Sequence, residues 1–95
     1  MAGYRESLSV RITGSTETVV LEGQVVVHGV HANVGSSGTG ELRDAAAIGG
    51  GSTPIITFDA TAGVTKDFFG RRCTSGLTYK GSAAGSDVTI FYDRA

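Results

Sequence analysis

Short runs of β-branched and aromatic residues, each cut off by a cluster of Gly, Ser or Asp, repeat along the chain. In Ser7–Thr13 the apolar Leu8, Val10 and Ile12 alternate with Ser9, Arg11 and Thr13. That is the period of a strand with one dry and one wet face. Gly14-Ser15 reads as a turn. Thr16–Glu22 follows as a second strand, with Val19 and Leu21 on one face and Val20 on the other. Gly23 interrupts it. Gln24–Val34 is a third run in which Gly29 marks a bend or bulge. Val30, Ala32 and Val34 then share one face, leaving His31 and Asn33 on the opposite one.

Beyond the Gly35-Ser36-Ser37-Gly38 loop, Thr39–Asp44 reads as a short strand anchored by Leu42. Asp44-Ala45-Ala46-Ala47-Ile48 has the best helix propensity in the chain but runs into Gly49-Gly50-Gly51. A segment that short does not persist as a helix, so a single turn or an irregular loop is expected. Thr53–Asp59 is a strand whose Pro54 suits an entry or an edge. Val64–Phe69 is a weaker extended segment, followed by Gly70-Arg71-Arg72. Cys73–Tyr79 is expected to be the next strand, with Cys73, Leu77 and Tyr79 on one face. Asp87–Tyr92 ends the series, with Val88, Ile90 and Tyr92 on one side and Thr89 and Phe91 on the other.

About eight short strands at roughly ten-residue spacing predict an all-β fold. The expectation is one domain over residues 1–95: a β-sandwich, jelly-roll-like, or a small barrel, with a flexible N-terminus over residues 1–6. The fifteen glycines fit that reading, because tight turns and bulges need backbone conformations that other residues avoid. No segment repeats another closely enough for a solenoid.

Composition narrows the function. A chain of 95 residues buries one modest core. Cys73 is the only cysteine, so no intrachain disulfide can reinforce that core, and association with copies or a partner is the remaining common route. Eight basic and nine acidic residues leave a formal charge of −1 with no basic stripe, which argues against a nucleic-acid partner. Residues 1–6 are charged and carry no apolar run, so no signal peptide is expected. Runs such as Val25–Val27 are far too short to cross a bilayer, so no membrane is expected. A free cysteine fits synthesis in a reducing cytoplasm.

Candidate chemistry is sparse. His28 and His31 are three apart, so on a regular strand they point to opposite faces and cannot grip one ion together. Only a bulge at Gly29 would change that, and no third ligand lies near in sequence, so no metal is expected. Serines, histidines and aspartates are present, but no Gly-x-Ser-x-Gly elbow is. Gly49-Gly50-Gly51-Ser52-Thr53 lacks the lysine and helix of a phosphate cradle. Cys73 follows Arg71-Arg72, which favours a thiolate, yet it keeps strand rhythm and reads as a small buried thiol. The chain is therefore expected not to be an enzyme and to need no cofactor. Lys66–Arg72 is more informative. Adjacent Phe68 and Phe69 should divide between core and surface, and an aromatic beside two arginines is the composition of protein contact centres. Phe91 lies off the Val88/Ile90 face and needs other cover. Phe68, Phe69, Arg71, Arg72 and Phe91 are therefore the candidate partner interface.

In order, Val27-His28-Gly29-Val30-His31-Ala32-Asn33, Gly40-Glu41-Leu42-Arg43-Asp44, Ile56-Thr57-Phe58-Asp59, Thr74-Ser75-Gly76-Leu77 and Asp87-Val88-Thr89-Ile90-Phe91-Tyr92 resemble segments of small virion proteins of tailed phages. The likeness runs from about Val25 onward. Met1–Glu22 has no counterpart in it, and the loop at Gly49–Gly51 is longer. The resemblance implies a structural protein of the capsid cement, or decoration, type. Such a protein sits on the capsid exterior as a homo-oligomer, with a trimer favoured, and clamps neighbouring major capsid protein subunits. The alternative within the same group is a tail, fibre or head–tail module that binds glycans.

Overall fold

In the computed structural model, residues 8–49 and 54–94 are described, and they form strands without a helix. The strands are β1 (Leu8–Thr13), β2 (Thr18–Glu22), β3 (Val25–Ala32), β4 (Thr39–Arg43), β5 (Ile56–Asp59), β6 (Thr65–Cys73), β7 (Gly76–Gly81) and β8 (Asp87–Arg94). The expected flexible stretch over residues 1–6 lies outside the described residues.

Two four-stranded antiparallel sheets stack on each other, ordered β1-β8-β3-β6 and β2-β7-β4-β5. First pairs with last, second with seventh, third with sixth and fourth with fifth, as if one long hairpin had been rolled up. This is the order of a jelly roll, whose two sheets leave short edges rather than closing into a barrel. The edges are β1 and β6 in the first sheet, β2 and β5 in the second.

The alternation seen in the sequence builds the core. Ile12, Val25, Val27, Val30, Cys73, Val88 and Ile90 of the first sheet meet Leu42, Phe58, Leu77 and Tyr79 of the second. Phe58 bridges the layers, its ring centroid 6.0 Å from both Phe68 and Tyr79. Tyr79 brings a hydroxyl into the core and satisfies it on Ser86 Oγ at 2.6 Å, as a buried polar group requires.

Four expectations need correction. Cys73 closes β6 rather than opening the next strand, because Arg71, Arg72 and Cys73 pair with Val27, Val26 and Val25. Cys73 and Leu77 are thus in different sheets and meet across the core. Val34 is 96% exposed: β3 ends at Ala32 and the chain turns. In β2 the register shifts between Val19 and Leu21, so Val20 and Leu21 both pack against the core instead of facing apart. The Ala45–Ile48 run is loop, as expected, and Asp44 at its start ties it to the turn after β6. Its carboxylate accepts the N–H groups of Thr74, Ser75 and Gly76 at 3.0, 2.8 and 3.3 Å.

The fourth correction concerns the middle of β3. Val27 pairs with Tyr92 and Gly29 with Phe91, which makes His28 the extra residue of a bulge. On the other side the one residue His28 faces Phe68, Phe69 and Gly70, because Val27 pairs with Arg71 and Gly29 with Asp67. The bulge carries both His28 and His31 to the outer face of the first sheet. It also brings the β6 backbone close: a Cβ on Gly29 would lie 2.6 Å from the Lys66 carbonyl oxygen.

Candidate functional site

The outer face of the first sheet is built from the residues that alternate away from the core. Pairing sets them in rows. Arg11, Thr89, His31 and Thr65 form one row, and Ser9, Phe91, Gly29 and Asp67 the next. Asp93, Val26 and Arg72 form a third.

At the upper end a polar network is fixed in place. Arg11 donates Nε to Asp87 Oδ1 at 2.9 Å and Nη2 to Oδ2 at 2.6 Å, the two-pronged geometry that suits a guanidinium and a carboxylate. Asn33 Nδ2 donates to the same Oδ1 at 2.9 Å and to Thr89 Oγ1 at 3.1 Å. The Asp87 backbone N–H is held by Ser36 Oγ at 3.0 Å. The bond from Arg11, then that from Asn33, hold the Asp87 carboxyl down to about 2, so it stays ionised. These groups surround an open hollow of about 410 Å³ lined by Arg11, His31, Asn33, Val34, Asp87 and Thr89.

A second hollow, about 230 Å³, lies beside it over Gly29, lined by His28, Val30, Thr65, Lys66, Asp67 and Phe91. The bond of 2.7 Å between His31 Nδ1 and Thr65 Oγ1 forms the ridge between the two. His28 Nε2 lies 2.8 Å from Asp93 Oδ2.

The interface candidates separate. Phe68 turns inward against Phe58 and the core. Phe69 is 90% exposed and has a φ of +53°, the only positive value outside glycine among the described residues. A bulky residue rarely adopts that left-handed conformation. Here it is held by Asp67 Oδ1, which accepts the Phe69 N–H at 2.7 Å, and by Gly70 following at φ +75°. Arg72 lies on the outer face in line with Val26, whereas Arg71 is opposite inward-facing Val27 and emerges at the open edge of the sandwich. Phe91 lies on the outer face, 37% exposed. The five residues therefore do not form one patch: Phe69 and Arg71 mark the β6 edge, Phe91 and Arg72 the outer face, and Phe68, partly buried, packs against the core.

Cys73 is buried. Burial, reinforced by the nearby Asp44 charge, pushes its thiol up to about 11, so it stays protonated and unreactive at neutral pH. Among the described residues no group of three His, Cys, Asp or Glu side chains could hold a metal ion.

The Arg11–Asp87–Asn33–Thr89 network escaped the reading of the sequence. Its signal was present in pieces, as the wet faces of β1 and β8 and the shared face of His31 and Asn33. Only the pairing of the first strand with the last joins them. No family model, no curated protein and no solved structure matches the chain.

Proposed function

We propose that this chain is a structural protein of a tailed-phage particle, a capsid cement protein that binds the capsid exterior as a homo-oligomer and clamps neighbouring major capsid subunits. Jelly rolls serve virus shells, lectins and cupins alike, so fold alone does not choose among them. The observation that carries the reading is Phe69: an aromatic ring 90% exposed on an edge strand, on backbone held in a left-handed conformation. Such strain persists only where the surroundings enforce it, and it clusters at functional positions. A ring displayed in this way, with Arg71 beside it at the edge, is the anchor of a contact that fills a pocket on a partner.

Assembly then proceeds by burying surface. A contact of about 1,600 Å² is the usual size for specific association, and repetition over a shell multiplies weak contacts into firm attachment. The edges at β1, β5 and β6 offer unpaired backbone groups that a neighbouring copy can cover.

Immunogold labelling of purified particles tests the proposal. Label over the capsid, lost when Phe69→Asn protein is supplied instead, is the expected result. Label confined to the tail would favour the fibre or head–tail alternative and overturn the cement reading, as would absence from the particle.

A further inference from the structure

We propose that the hollow between Arg11, His31, Asn33, Val34, Asp87 and Thr89 binds a neutral carbohydrate. Four observations converge on that ligand class. The first is size: the open hollow, about 410 Å³, has room for a sugar ring.

The second is charge. The guanidinium and carboxylate are already matched to each other. An anion bound to Arg11 would sit beside the Asp87 carboxylate, and a cation bound to Asp87 beside the Arg11 guanidinium, so the pair favours neither sign. A neutral ligand meets neither repulsion.

The third is hydrogen-bonding character. Arg11 uses Nε and Nη2 on Asp87, and His31 uses Nδ1 on Thr65. Arg11 Nη1 and His31 Nε2 have no partner among the described residues, and the Asp87 carboxylate retains acceptor capacity. Donors and acceptors are thus interleaved around one hollow, which suits hydroxyl groups because each both donates and accepts. Orientation is fixed beforehand by the Asn33 bonds to Asp87 and Thr89, which reduces what binding must immobilise.

The fourth is apolar surface. Val34, 96% exposed, stands at this hollow as a contact for the C–H face of a sugar ring. Phe91 waits in the adjoining hollow, across the His31–Thr65 ridge, where a second ring of an oligosaccharide would lie.

Binding here does not use Phe69, so it stands apart from assembly.

Titration of the ¹⁵N-labelled full chain by NMR with methyl glycosides of glucose, galactose, mannose and N-acetylglucosamine, and separately with inorganic sulfate, tests the site. At least one glycoside is expected to shift the Asn33, Asp87 and Thr89 amides saturably. Thr89→Val, which keeps the shape and removes the hydroxyl, should weaken binding roughly fivefold, the equivalent of one ordinary hydrogen bond. Phe69→Asn should leave it unchanged. No saturable shift with any glycoside overturns the proposal, as do shifts located elsewhere, unaltered affinity in Thr89→Val, or a response at these amides to sulfate alone.

Discussion

Replacing Phe69 by Asn separates the two roles an aromatic side chain can have in a small domain. The ring is 90% exposed, so only about a tenth of the roughly 200 Å² that a Phe side chain can bury is in contact. At about 25 cal/mol per Å² that contact contributes about 0.5 kcal/mol. Against this, a left-handed backbone costs a bulky L-residue about 1–2 kcal/mol, much of which Asn avoids because it tolerates that region. The sum predicts Phe69→Asn to be between neutral and about 1 kcal/mol more stable. Phe68→Ala, next to it in sequence but packed on Phe58, should instead lose roughly 2–4 kcal/mol, somewhat below the figure for a fully buried ring. Urea denaturation followed by circular dichroism measures both. Co-sedimentation with shells should then fail for Phe69→Asn despite its intact fold. A loss of more than about 1.5 kcal/mol in Phe69→Asn would refute the reasoning, since the ring would then be holding the domain together.

Other outcomes follow from the same structure. Asp87 has a depressed pKa of about 2 when folded against about 3.9 unfolded. Its contribution is therefore present above about pH 4 and is lost as pH falls towards 2. Urea midpoints should decline across that window, and less steeply in Asp87→Asn. Asp44→Ala removes the acceptor for the Thr74, Ser75 and Gly76 amides and should cost roughly 1–2 kcal/mol in thermal or urea unfolding; Asp44→Asn should recover part of that. Gly29→Ala places a methyl group 2.6 Å from the Lys66 carbonyl oxygen. It should lower stability by about 1–3 kcal/mol, with the largest amide shift changes in β3 and β6.

What the sequence revealed and concealed follows from the range of each interaction. The faces of β1 and β8 were legible because Leu8, Val10, Ile12, Val88 and Ile90 alternate strictly, and alternation is local. Pro54 suggested an entry or an edge for the strand it precedes, and β5 is an edge strand. The course of β6 was not legible. Gly70 within it looked like an end, and only the β3 backbone, by pairing on both sides of Phe68-Phe69-Gly70, continues the strand through Arg71, Arg72 and Cys73. His28 and His31 were assigned opposite faces by regular geometry, and the bulge that unites them depends on the same pairing. Val34 kept the apolar rhythm of β3 although the chain had already turned. The Arg11–Asp87 pair spans 76 residues, beyond what any local pattern conveys. At Phe68 and Phe69 adjacency correctly implied one ring in and one out, but the left-handed backbone at Phe69 has no signature except the Gly that follows.

Electron cryo-microscopy of the particle tests the central claim most directly. The account predicts density for this chain on the capsid exterior, grouped as a homo-oligomer, with Phe69 seated in a pocket of the major capsid protein or of a neighbouring copy. Density at the tail alone, or a capsid-bound chain whose Phe69 faces solvent, would contradict it.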